Sequence, residues 1–192
     1  MDTVQQKIEF ILELEKLKGV LRKTKPVGQE RFENSAEHSW QTTLTAMILL
    51  EDADPGLDAL KVFKMLLIHD VVEIDAGDVF VYDTAARAEI AEQEAAAAKR
   101  IFGLLPAEIG KELLALWHEF EDRQTLESQF AKAVDRINPV IQNLAANGQS
   151  WVENKIARER VLAMNSEIEA ASPALWAVLK ARIEAAPFFA DE

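Results

Sequence analysis

The run Leu66-Leu67-Ile68-His69-Asp70-Val71-Val72-Glu73 sets an imidazole and two carboxylates into an otherwise apolar helical stretch. Successive helical residues advance about 100°, so Glu73 returns over Asp70 and His69 at the i+3 and i+4 spacings. One helix face then carries three groups able to bind a cation or move protons. Burying them among Leu and Val is costly unless their charge is compensated, and a divalent cation is an economical compensator. A His-Asp pair bracing a helix end is the structural alternative, and the dipeptide alone does not separate the two.

The rest of the chain supplies further candidates. It has three histidines, His38, His69 and His118, and no cysteine, so only His, Asp and Glu can hold a metal firmly. His38 falls in the first turns of one helix, His69 and Asp70 on the next, and Asp135 near the middle of an apolar helix well downstream. Together they form a nitrogen and oxygen ligand set suited to one divalent ion: Mn, Fe, Co, Ni or Zn, or Mg. Positions would remain for water and substrate. Pro139 has no N–H to return to the Asp135 carbonyl, which predicts a kink or a free carbonyl at that acid.

Composition bounds the function classes. At 192 residues the chain reads as one domain, 1–192, and its 49% apolar and 28% charged residues are those of a folded globular protein. The lack of cysteine suits a reducing compartment, and no apolar run approaches membrane-spanning length, so a soluble cytoplasmic protein is expected. A formal charge of −12 argues against a nucleic-acid polymer as partner. Arg22, Lys23, Lys25 and Arg31 form a local basic exception in a loop just before His38.

The elements that must position these groups are helices. Val4, Ile8, Ile11, Leu12 and Leu14 recur at helical spacing and Gly19 stops that helix. Asn34 and Glu37 stand as a capping box for a second helix from Ser35 to about Glu51. Asp54-Pro55 or Asp58 opens a third, which carries His69, Asp70 and Glu73 and ends by Gly77. Further helices are predicted over Thr84–Phe102, from Pro106 through Phe120, over Leu126–Asn147 with Thr125 as cap and Gly148 as stop, over 153–170 and over 173–185. No sustained alternation bounded by hairpin turns occurs, so the fold class is all-α. Trp40, Trp117, Trp151 and Trp176 read as core or interface aromatics.

The ordered motifs Glu33-Asn34-Ser35-Ala36-Glu37-His38-Ser39, His69-Asp70-x-x-Glu73, Gly77-Asp78 and Asp135-Arg136 with Pro139 resemble the HD-domain metal-dependent phosphohydrolases. Within them the pattern is similar to the branch of bacterial 5′-deoxynucleotidases and related small HD hydrolases, over about 17–148. The resemblance implies a single HD-type helical domain with a mononuclear metal site, His38, His69, Asp70 and Asp135 being the ligands. It implies that Arg22 orients the substrate phosphate, that Glu73 is the acid of the His-Asp-x-x-Glu motif, and that Asp78 contacts the nucleoside sugar and leaving oxygen. Lys23 stands where that branch has an aromatic residue, and Val79-Phe80-Val81-Tyr82 replaces a proline-containing loop. Both departures leave the metal chemistry intact and bear on deoxy selectivity. Sites richer in histidine hold two metals, but the extra ligands are missing here, so His118 is expected to be structural.

A physical mechanism follows from these parts: attack of metal-activated water on phosphorus, with Arg22 and the metal neutralising phosphate oxygens. Glu73 would orient or deprotonate the water, or else brace a ligand histidine, and Asp78 would protonate the departing 5′ oxygen. The leading expectation is a phosphomonoesterase acting on nucleoside 5′-monophosphates, with Arg22, Lys23 and Asp78 binding substrate. The alternatives are an HD-type phosphodiesterase or pyrophosphorylated-nucleotide hydrolase, and a non-catalytic metal- or nucleotide-binding module. A homodimer is expected to use apolar residues of the helices after Gly148.

Overall fold

The computed structural model describes residues 2–189, apart from the side chains of Asp52 and Ala88. Across that span the order is α1 (Thr3–Leu14), a 3-10 turn (Glu15–Gly19), α2 (Ser35–Leu49), a 3-10 turn (Leu50–Asp52), α3 (Ala59–Ile68), α4 (Glu73–Ala76) and α5 (Thr84–Phe102). Then come α6 (Ala107–Asp122), α7 (Leu126–Ala145), α8 (Gln149–Glu153), α9 (Arg158–Asn165), a 3-10 turn (Ser166–Ala170) and α10 (Pro173–Glu184). The all-α expectation holds, and no described helix is long and apolar enough to cross a membrane. The nearest approach to a strand among the described residues is one antiparallel bridge between Leu21 and Asn34. Beside it the Arg22 N–H donates to the Glu33 carbonyl (2.8 Å) and the Glu33 N–H to the Thr24 carbonyl (2.9 Å), so the loop folds back and sets these residues together ahead of α2.

The capping box forms as expected: Asn34 Oδ1 accepts from the Glu37 N–H at 3.0 Å, and Glu37 Oε1 accepts from the Asn34 N–H at 2.7 Å. It starts α2 with Ser35, His38, Ser39 and Thr42 facing inward, while Trp40, Leu44, Met47 and Ile48 face out. Trp40 is 62% exposed, unlike the other three tryptophans, because the inner face of α2 is given to polar groups. The stripe expected to bury α1 is also inverted. Val4, Ile8, Ile11 and Leu12 are exposed, while Phe10 packs near Phe102 (ring centroids 6.4 Å apart) and Glu13 turns in to accept from Arg100 Nη2 (2.6 Å).

Asp58 wins the competition to cap α3, accepting from the Lys61 N–H (3.1 Å), while Asp54 accepts from Gly56 in the preceding turn. The helix does not run unbroken to Gly77. It ends at Ile68, tightens through i to i+3 bonds (Val71 N–H to Ile68 carbonyl and Glu73 N–H to Asp70 carbonyl), and resumes as α4. Pro139 lies inside α7 without ending it; its missing N–H leaves the Asp135 carbonyl without its helical donor.

α7 runs through the main apolar cluster with α3, α6, α9 and α10, and a second cluster joins α1, α5 and α6. The stretch expected as one helix over 153–170 is divided: Lys155 adopts a left-handed φ of 54° and the Ile156 N–H reaches back to the Trp151 carbonyl (2.8 Å), closing α8. After Gly148, Trp151, Val161, Ile168, Trp176, Leu179 and Ile183 all enter the core, leaving Val152 and Val178 as the large exposed apolar residues there. Most of the hydrophobic residues described in those helices are thus buried within the chain.

Gly148, the expected stop of α7, has φ 71°, and a Cβ there would lie 2.4 Å from ring carbons of Phe188. Gly148→Ala should cost about 1–3 kcal/mol, from left-handed strain plus overpacking. Urea unfolding checks this; an unchanged midpoint would contradict the packing described.

Candidate metal centre

α2, the turn after α3, and α7 bring His38, His69 and Asp135 together, one ligand atom from each lying within 4.8 Å of the others. His38 Nε2 is 2.8 Å and His69 Nε2 3.4 Å from Asp135 Oδ1. Asp70 adjoins the same space: its Oδ1 is 3.0 Å from His69 Nε2, and its Oδ2 is 3.9 Å from His38 Nε2. His69 Nδ1 lies 2.8 Å from the Leu66 carbonyl, which selects the tautomer with the proton on Nδ1. That leaves the lone pair of Nε2 aimed at the carboxylates, and Nε2 is a buried atom without a hydrogen-bond partner among the described residues. The Trp117 indole N–H donates to the His69 carbonyl (3.2 Å) and anchors the turn.

A nitrogen and oxygen donor set with an orphaned, buried imidazole nitrogen fits a divalent cation. The charges agree. Burial and Arg22 oppose protonation of His38, yet Asp135 and Glu33 outweigh them and raise its pKa to about 9. Burial likewise opposes ionisation of Asp135, but the two histidines hold its carboxyl well below the usual range. The carboxylates thus attract positive charge to the space between these side chains, whether a proton on His38 or a metal ion.

Around this centre lies a ring of buried charge. Arg22 Nη1 donates to Asp70 Oδ2 (2.9 Å) and approaches Asp78 Oδ1 (3.6 Å), while its Nε is 3.3 Å from Glu33 Oε2. Burial disfavours the Arg22 cation, but Asp70, Asp78, Glu73 and Asp135 more than offset this and raise its pKa. Ser35 Oγ donates to Glu73 Oε2 (2.5 Å). Glu73 is nevertheless raised well above the usual carboxylate range, first by burial and then by the charge of Asp70. Asp78 is also raised by burial, against Arg22 and with the help of Asp70.

The sequence-derived candidates Arg22, Lys23, His69, Asp70, Glu73, Asp78 and Asp135 all line one pocket, with His38 fully buried behind them. The basic loop does not act as a unit: Arg22 and Lys23 reach the pocket, whereas Arg31 turns to Glu37 (2.5 Å) and Lys25 to Glu30 (3.7 Å). His118 is exposed and outside the cluster, its ring edge-on to Trp117. Glu121 also lines the pocket and pairs with Lys132 (2.9 Å), while Glu119 and Glu127 lie near Lys61.

Sequence reasoning missed Glu33, although it stands in the first motif. Its carboxylate, 3.5 Å from His38 Nδ1, also accepts from Gln142 Nε2 and Thr24 Oγ1. Burial opposes its ionisation, but the proximity of His38 and Arg22 holds the carboxyl below its usual value. A buried acid behind a candidate ligand histidine is a common orienting arrangement. Only its burial distinguishes it from neighbouring acids, and sequence does not display that.

A family model described as HD domain matches residues 14–176. The chain belongs to the HD-domain family. This HD domain is 28% identical over 137 residues to 5′-deoxynucleotidase HDDC2 of Homo sapiens, an alignment covering 69% of this chain and 66% of that protein. The Dictyostelium discoideum protein of the same name is 30% identical over 135 residues, covering 67% and 71%. The match spans just under two thirds of the human relative's length. A crystal structure described as a predicted metal-dependent phosphohydrolase from Magnetospirillum magnetotacticum MS-1 superposes with a TM-score of 0.91 at 39% identity, over 98% of this chain and 99% of that one. An HD-domain phosphohydrolase from Listeria innocua, 19% identical, shares the fold with a TM-score of 0.62 over 93% and 84% of the two chains.

Glu33→Gln removes the charge behind His38 while keeping its shape. Manganese affinity measured by calorimetry should fall about 10- to 100-fold with the fold retained; unchanged affinity would show that Glu33 does not orient the histidine.

Proposed function

We propose that this chain is a metal-dependent phosphomonoesterase that releases phosphate from nucleoside 5′-monophosphates. The observation that carries the reading is the buried Arg22 guanidinium facing the same pocket as the ligand cluster, 2.9 Å from Asp70. A fixed guanidinium beside a cation site matches a phosphoryl dianion, which needs positive charge on more than one oxygen. The similarity to proteins named 5′-deoxynucleotidase supports the choice of substrate.

In this reading His38, His69, Asp70 and Asp135 hold one divalent ion, of the class Mn, Co, Mg, Zn, Fe or Ni. When bound, such an ion supplies positive charge that acidifies water and offsets the charge of phosphate. Arg22 holds two phosphate oxygens, and Lys23 at the rim adds charge as substrate enters. Glu73, made more basic by burial, accepts a proton from the attacking water through the oxygen that Ser35 leaves free. The new bond joins water oxygen to phosphorus and the P–O5′ bond breaks. Asp78, whose carboxyl burial pushes up so that it holds a proton more readily than a free aspartate, gives that proton to the 5′ oxygen. Lys23 and the wall from Val79 to Tyr82 line the pocket beside these groups and set sugar selectivity. A cytoplasmic location, where nucleotides are abundant, accords with the cysteine-free sequence.

The test is phosphate release from a panel of ribo- and deoxynucleoside 5′-monophosphates after stripping and re-adding Mn, Co, Mg or Zn. Metal-restored release is expected, absent in His69→Ala and reduced about 10²- to 10⁴-fold in Glu73→Gln at unchanged metal content. No release across the panel from metal-loaded protein would overturn the assignment, and near-normal turnover in Glu73→Gln would remove its role as base.

A further inference from the structure

A second groove, of about 580 Å³, opens beside the pocket. Four arginines line it: Arg87 from α5, Arg123 at the end of α6, Arg136 from α7 and Arg160 from α9. The carboxylate among its lining residues is Glu167, which accepts from Arg123 Nη1 (3.0 Å) and from Arg136 Nε (2.7 Å). One acid against four guanidinium groups leaves a local excess of positive charge on a chain whose net charge is −12.

A purely structural account covers part of this arrangement. Glu167 ties the 3-10 turn Ser166–Ala170 to α6 and α7, and Arg160 Nη2 donates to the Tyr82 carbonyl. It does less for the Arg87 guanidinium, whose charge bears on the Glu94 carboxylate but which makes no side-chain hydrogen bond or close ion pair among the described residues. Arg136 meets Glu167 through Nε, and it lines both the groove and the pocket. Packing alone gives no reason to gather like charges from four separate elements, since their mutual repulsion opposes folding. The planar forks of arginine match the oxygens of a phosphoryl group, and the excess charge suits a dianion or pyrophosphate better than a single carboxylate.

The groove is also joined to the pocket. Val81, Arg87 and Arg136 line both. Arg136 directly follows Asp135, and Val81 belongs to the loop that begins with Asp78. We propose that this arginine groove is a second phosphoryl-binding site, distinct from the metal centre and touching the elements that carry Asp78 and Asp135. Its ligand is a phosphorylated small anion. The phosphoryl group has two possible sources: a separate effector molecule, or a further phosphoryl group on a ligand whose other end lies in the pocket. The inference deepens the proposed function but does not require turnover.

The probe is inorganic pyrophosphate, titrated calorimetrically into the full-length protein in phosphate-free buffer, against Arg123→Gln/Arg160→Gln. Both substituted residues line the groove and not the pocket, and neither has a role in the proposed hydrolysis. Pyrophosphate affinity should fall at least tenfold in the double variant, while manganese binding stays at the wild-type value and the circular dichroism spectrum shows the fold retained. A milder variant, Arg160→Lys, should retain part of the affinity and guards against misfolding of the double variant. Repeating the titration with a nucleoside 5′-monophosphate already present separates the two sources. Simultaneous binding identifies an effector site, and competition that persists in Asp135→Ala identifies an extension of the pocket. Equal affinity in wild type and double variant, or pyrophosphate binding abolished by Asp135→Ala alone, would overturn the proposal. Because the readout is binding, loss of this site and loss of the phosphatase are told apart: a protein that hydrolyses nucleotides yet binds pyrophosphate independently of Arg123 and Arg160 contradicts only the groove.

Discussion

The rest of the structure depends on the burial of five carboxylates, those of Glu33, Asp70, Glu73, Asp78 and Asp135, in one small volume around the Arg22 guanidinium. Desolvation opposes the charge on Glu33, Glu73, Asp78 and Asp135, yet their surroundings divide them: Glu33 and Asp135, against histidine, go down, and Glu73 and Asp78, facing other acids, go up. Arg22 alone does not balance the set. Such a cluster is tolerable inside a protein when further positive charge shares the space. His69 Nε2, without a hydrogen-bond partner among the described residues, faces the space where such charge fits.

This constraint explains features of the fold that hydrophobicity alone does not. α2 turns Ser35, His38, Ser39 and Thr42 inward because the acids require donors there, and its apolar residues are left at the surface. The folded-back loop before α2 exists to hold Arg22 and Glu33 side by side. α7 threads the core so that Asp135 can reach both histidines, with Asn138 and Gln142 on succeeding turns donating to Thr42 and Glu33. Helix packing and site assembly are in this sense one problem, solved by polar contacts between α2 and α7.

Local signals were readable in the sequence. The Asn34–Glu37 box, the Thr125 cap, the stop at Gly148 and the motif residues around His38, His69 and Asp135 all lie where residue type and spacing put them. What escaped depended on contacts distant in the chain. The stripe from Val4 to Leu12 has ideal helical spacing, yet Arg100 and Phe102 draw in Glu13 and Phe10 from another face. The break after Ile68 follows from anchoring of His69 by Leu66 and Trp117, which periodicity does not report. Glu33 looked like any acid in a polar loop. The four groove arginines come from separate helices, so no window of sequence displays them together.

In the proposed function these buried acids and histidines form one cation site. Electron paramagnetic resonance of manganese titrated into metal-stripped protein tests it most directly. One tightly bound ion per chain is expected in wild type, with the tight site abolished in Asp135→Asn and in His38→Ala. Absence of tight binding in wild type, or an undiminished site in Asp135→Asn, would contradict it.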